Sequence, residues 1–122
     1  MTKKKHDAWV VRLAKALVEL WAEGEAKVEG SLDEPGFLPN LRFFLRLPEG
    51  QLNFHLTRPL NVEVSAGPGL SFRWNASAEF SADGLLCLAD DLRTVAAALD
   101  AMGYAESSVK VEEFANVLRG AA

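Results

Sequence analysis

The stretch LRFFLRLPEGQLNFHLTRPLNVEVSAGPGLSFRWNA, Leu41–Ala76, alternates apolar and polar residues almost without interruption. A period of two marks strands with one buried and one wet face, because successive side chains point to opposite sides. Turn signals inside the stretch test its register. A two-residue turn at Glu49-Gly50 sets Leu47 opposite Leu52, Leu45 opposite Phe54 and Phe43 opposite Leu56, while Arg46 meets Asn53 and Phe44 meets His55. A turn over Thr57–Pro59 pairs Phe54 with Val62 and Leu52 with Val64. A third, centred on Gly67, pairs Val64 with Leu70, Val62 with Phe72 and Leu60 with Trp74. All three keep one apolar face, and a slip of one residue would turn every side chain to the wrong side. The stretch is therefore predicted to form a four-stranded antiparallel meander.

One apolar face requires a covering layer, and the flanking segments supply helices. Trp9, Val10, Leu13, Leu17, Leu20 and Trp21 recur at three- and four-residue spacing, which predicts a helix over Asp7–Glu23 with Gly24 as its stop. EAKVEGS reads as a short edge strand and LDEPGFLPN as a loop, since two prolines and a glycine break ladders. Phe37 and Leu38 in that loop either stand exposed or fold down over the core edge. The segment after the sheet is ambiguous at its start. Asp83-Gly84 is a good hairpin turn that would make Leu85–Leu88 a fifth strand, yet Leu85, Leu88, Leu92, Val95, Leu99 and Met102 also form one helical stripe. Helix is expected over Asp90–Met102, with Asp90 and Asp91 in its first turn and Gly103 at its end. A last helix spans Val109–Arg119, capped by Ser107 or Ser108, burying Val111, Phe114, Ala115 and Leu118, and stopping at Gly120. The fold class is α+β: a single two-layer domain over 1–122, with an N-terminal helix, a four- or five-stranded antiparallel meander and two C-terminal helices on one face of the sheet. Residues 1–6, with lysines at 3–5, are expected to be a solvated, disordered terminus.

Bulk properties narrow the function classes. The chain has 122 residues, enough for one core, and its 49% apolar content argues against intrinsic disorder. Net charge is −4, so no global positive field draws in a phosphate backbone. The charge is uneven: residues 41–78 carry four arginines against Glu49 and Glu63, whereas residues 79–122 carry eight acidic and three basic groups. Cys87 is the only cysteine, which rules out an internal disulfide and a cysteine metal cage, and among leucines it reads as a small buried hydrophobe. No signal-peptide pattern and no run of roughly 18–20 apolar residues is present, so the expectation is a cytoplasmic protein with no membrane contact. The sequon at Asn75 carries little weight without an export signal.

Catalytic signatures are missing. His6 and His55, the only histidines, have no second ligand at metal spacing, and SAGPGLS lacks the lysine and helix start of a phosphate loop. The carboxylate pairs Asp90-Asp91, Glu112-Glu113 and Glu23/Glu25 are explained by solvation and helix dipoles. No cofactor, no metal and no enzyme activity are expected.

What remains is the polar face of the sheet. In the register above, one row reads Phe44, His55, Asn61, Arg73, a second reads Arg46, Asn53, Glu63, Ser71, and a third starts at Arg42 and Thr57 and ends at Asn75. The candidate binding residues are Arg42, Phe44, Arg46, His55, Asn61 and Arg73. A wet sheet back accounts for most of them, since such faces ordinarily carry Arg, Asn, Thr and Ser. Phe44 fits that reading least. The functional expectation is a small acidic non-catalytic protein-interaction domain, of adaptor, chaperone-like or neutralising-partner type, binding another protein through the exposed sheet face or edge and able to form a homodimer. The alternative is a single-stranded nucleic-acid binder using the arginine and aromatic face.

Overall fold

The computed structural model describes residues 7–22, 26–34, 38–57, 59–75 and 80–122. Helix α1 (Ala8–Ala22) leads into strands β1 (Ala26–Glu34), β2 (Leu38–Leu47), β3 (Gly50–Leu56), β4 (Asn61–Ala66) and β5 (Leu70–Asn75), followed by helices α2 (Ala82–Ala101) and α3 (Ala105–Ala121). The strands form one antiparallel sheet in chain order, β1-β2-β3-β4-β5. The α+β architecture predicted from the sequence is the one observed, with five strands.

The fifth strand comes from the N-terminal side. Ala26–Glu34 pairs with β2, and Leu38–Asn40, expected in a loop, belong to β2. Leu85–Leu88 are helical. Ser81 decides this, because its Oγ accepts the Gly84 N–H at 3.1 Å and caps α2, while Asp83 lies in the first turn where the helix dipole favours a carboxylate. Asp90 and Asp91 therefore sit mid-helix rather than in a first turn, and Asp90 pairs with Arg119 of α3 at 3.5 Å. Cys87 lies on the exposed side of α2, contrary to the buried position expected from its leucine neighbours, because the stripe Leu85, Leu88, Leu92 turns it outward. Phe37, Gly24 and residues 1–6 lie outside the described residues, as does the side chain of Leu38.

Register differs from expectation at two of the three turns. The β2–β3 turn is Pro48-Glu49, so Leu47 pairs with Gly50, Leu45 with Leu52 and Phe43 with Phe54. Proline presets the first turn position, and Gly50 is needed inside β3 because the Ser65 carbonyl oxygen occupies the place a Cβ would take. The β4–β5 turn runs over Gly67–Gly69, pairing Val64 with Phe72 and Val62 with Trp74. Gly67 has a φ of 55°, donates its N–H to the Glu49 carbonyl at 2.9 Å and lies against the Tyr104 ring, so a side chain there would be both strained and crowded. The β3–β4 register, Phe54 with Val62 and Leu52 with Val64, is as predicted. Moving a turn centre by one residue changes every pairing by two, so each side chain stays on its predicted face.

All three helices cover the apolar face. α3 packs on β2, α2 on β5, and α1 on β1 and α3. At the centre, Phe114 of α3 stacks on Phe43 at 5.2 Å and meets Phe54 edge-on at 5.5 Å, all three rings being buried. Trp9 of α1 packs on Phe80 at 4.9 Å and closes the core beside α2.

Ser107 and Ser108 are buried within α3 and do not cap it: Ser108 Oγ donates to the Ala96 carbonyl at 2.6 Å, and Ser107 Oγ donates to the Glu49 carboxylate. α3 starts earlier than expected, at Ala105, and passes through Gly120 to Ala121. Its last carbonyls, which no intrahelical donor can reach, take the Arg12 guanidinium: Nε donates to Ala121 O at 2.9 Å and Nη2 to Ala122 O at 3.3 Å.

Phe114→Ala should lower the unfolding free energy by about 3–5 kcal/mol, as buried aromatic deletions do, and Arg12→Ala by about 1 kcal/mol, as expected for an exposed charged cap. Urea denaturation followed by circular dichroism measures both. An unchanged midpoint for Phe114→Ala would show that the three rings are not the centre of the core.

Candidate functional site

Among the described residues no helix covers the opposite face of the sheet. Alternation along β2 to β5 places Leu41, Phe43, Leu47, Leu52, Phe54, Leu56, Val62 and Val64 in the core, which sends the intervening side chains to the uncovered side. Across that side, one row reads Glu29, Arg42, His55, Asn61. The next reads Lys27, Phe44, Asn53, Glu63, Arg73, and a third reads Arg46, Gln51, Ser65, Ser71.

The six candidate residues therefore share a face, but not in the predicted rows. His55 stands across from Arg42, and Phe44 across from Asn53. Phe44 and His55 are diagonal neighbours, close enough for an aromatic ring to reach. Arg73 lies three strands from Phe44 and pairs with Glu63 at 3.3 Å, so its charge is already engaged. Asn61 is occupied as well: its Nδ2 donates to Pro59 O at 3.3 Å and to Thr57 Oγ1 at 3.4 Å, which ties down the β3–β4 turn. Lys27 and Glu29, two apart on β1, pair at 2.8 Å, and the Lys27 ammonium together with Arg42 holds the Glu29 carboxyl below its ordinary range.

Two cations are left over. Among the described residues neither Arg42 nor Arg46 has an ion-pair partner, and both are exposed. Between them Phe44 is half-buried. Asn53 stands in the Phe44 row rather than in the Arg46 row expected from the sequence, and its Oδ1 is shut off from solvent with no hydrogen-bond partner, directly across from Phe44. An orphaned acceptor of this kind costs free energy in the free protein that a donor on a ligand would recover. Lys27 was also missed, because the strand that carries it has too little alternation to be read with any register.

Burial holds the His55 imidazole below its usual pKa, the Arg42 guanidinium adds to this, and Glu63 opposes both. The described residues contain no cluster of three or more His, Cys, Asp or Glu able to hold a metal, and no helix among them is long and apolar enough to cross a membrane. A shallow groove of about 630 Å³ runs between α2 and α3, lined by Arg93, Ala97, Asp100, Ser108 and Glu112, and gathers none of the candidate residues. The large apolar side chains left exposed, Val11, Val18, Leu86, Met102 and Val109, are on the helical layer or its turn, away from the uncovered sheet face.

Comparison of the chain with family models, with curated proteins and with solved structures gave no match.

His55 should titrate below 6.5 by NMR. Arg42→Gln should raise its pKa and Glu63→Gln should lower it further. Because the folded value is depressed, the stability linked to His55 is complete above the unfolded value of 6.5 and is lost as pH falls through and below it. A His55 pKa above 6.5 in the folded protein would contradict this placement.

Proposed function

We propose that the chain is a non-catalytic protein-interaction domain that receives another protein on the uncovered sheet face. The observation that carries this reading is that Arg42 and Arg46, which have no ion pair within 4 Å among the described residues, stand astride the half-buried Phe44 on a face that no described helix covers. The opposite layer supports it by contrast. α2 and α3 carry seven carboxylates, Asp83, Asp90, Asp91, Asp100, Glu106, Glu112 and Glu113, against Arg93, Lys110 and Arg119, so the acidic charge is segregated away from the sheet face. A partner reaching the sheet meets positive charge, which speeds encounter and selects against basic surfaces.

A second reading rests on Phe44 itself, whose ring between two arginines could stack a base of single-stranded nucleic acid. It is the weaker of the two. A stacking platform normally offers several rings, whereas Phe44 is the one Phe, Tyr or Trp in the described rows of this face. Enzymatic activity is not proposed, since the face brings no nucleophile together with a base and an orienting group. An unpaired cysteine on the outer side of α2 suits a reducing compartment, and we place the protein in the cytoplasm on that ground. A homodimer would use β1 or β5, the outermost strands, whose outer backbone groups have no strand beside them.

Affinity capture from the native host, read by mass spectrometry, compares the wild type with a variant carrying Arg42→Glu and Phe44→Ala. A protein partner retained by the first and lost by the second is the expected result. Equal retention by both would move the contact elsewhere. Tight oligothymidylate binding at low salt that falls steeply with added salt and disappears in Phe44→Ala would replace the protein reading with the nucleic-acid one.

A further inference from the structure

We infer that the occupant of the sheet face is an extended acidic segment of the partner, lying along β2 with carboxylates four residues apart over Arg42 and Arg46 and an apolar side chain midway over Phe44. This rests on the reading of the face as a protein-binding surface and specifies what binds there.

The argument begins with charge. The face presents Lys27, Arg42, Arg46 and Arg73 against Glu29 and Glu63, and the two glutamates are taken by Lys27 and Arg73 at 2.8 and 3.3 Å. Among the described residues of this face, the cations without an ion pair are thus Arg42 and Arg46, both on one strand. Glu29 bounds the line at Arg42 on the β1 side, and Glu63 lies two strands away on the other, in the Phe44 row. A polyanion crossing the strands would run over these carboxylates, while one following β2 passes beside Glu29 alone, whose carboxylate Lys27 pairs.

Spacing then sets the residue pattern an extended ligand needs. Arg42, Phe44 and Arg46 alternate with the buried Phe43 and the half-buried Leu45, so they are stepped along β2 at about 6.6 Å intervals. An extended peptide has the same rise, and its residues at positions i, i+2 and i+4 fall in step with all three. A helix reaches from one arginine to the other only with carboxylates about eight residues apart, so glutamates four residues apart are specific to the extended form. Guanidinium and carboxylate are geometrically suited to paired hydrogen bonds, so each end of the segment gains direction as well as charge. At the midpoint the Asn53 carboxamide lies directly across from Phe44, with its Oδ1 buried and without a hydrogen-bond partner.

The test uses the whole chain and fluorescence anisotropy. One blocked, β-prone probe peptide carries glutamates four residues apart with valine midway, and a composition-matched isomer carries them three apart. The in-step probe should bind about threefold more tightly than the isomer, the size expected from the one exposed ion pair that the isomer cannot make. Arg42→Gln and Arg46→Gln should each remove most of that difference, while circular dichroism shows the fold intact. Equal affinity for the two isomers, no binding of either, or displacement of the in-step probe by low concentrations of oligothymidylate would overturn the inference. Should the probes fail while a host protein is still captured through Phe44, the acidic-strand inference falls and the protein-binding reading stands. Should capture fail as well, both fall.

Discussion

Phe114 wedges between Phe43 and Phe54, and this contact gives the molecule its two sides. It seats α3 on neighbouring strands β2 and β3, and α1 and α2 take places on either flank. Because alternation along a strand is strict, burying Phe43 and Phe54 obliges Arg42, Phe44, Asn53 and His55 to face outward. The candidate site is in this sense the other half of the core. Anything that relaxed the aromatic contact would loosen the platform on its far side.

The same coupling explains what could be read from the sequence. In-and-out alternation over Leu41–Asn75 was legible because apolar and polar residues differ in kind, and an error of one residue at a turn preserves it. The exact pairing was not legible. Glu49-Gly50 and Pro48-Glu49 are both acceptable turns by composition, and the choice depends on Gly50 lying too close to Ser65 for any side chain, a contact made only after β3 meets β4. The result was a face with the right members and the wrong neighbours. Phe44 was expected beside His55 but stands beside Asn53, and His55 stands beside Arg42.

Helix limits failed for a related reason. Asp83-Gly84 is a strong hairpin signal taken alone, but Ser81 three residues before Gly84 offers its hydroxyl to the free N–H groups there, and the leucine stripe then continues without a break. Ser107 and Ser108 looked like caps because serine favours helix starts, whereas here they serve as buried donors that join α3 to the Glu49 turn and to α2. Cys87 was misjudged because neighbours in sequence are not neighbours on a helix. In each case a local preference was outweighed by a partner distant in the chain.

The Arg12 clamp on the end of α3 joins the first helix to the last. During synthesis α1 emerges well before the element it must hold, and its apolar stripe, Trp9, Val10, Leu13 and Leu17, has no complete seat until α3 has left the ribosome. The sheet can zip up by successive hairpins, each local in sequence, but the covering layer closes only at the end. A nascent chain therefore passes through a stage in which a finished meander shows its greasy side, and chaperone engagement should be concentrated in that interval.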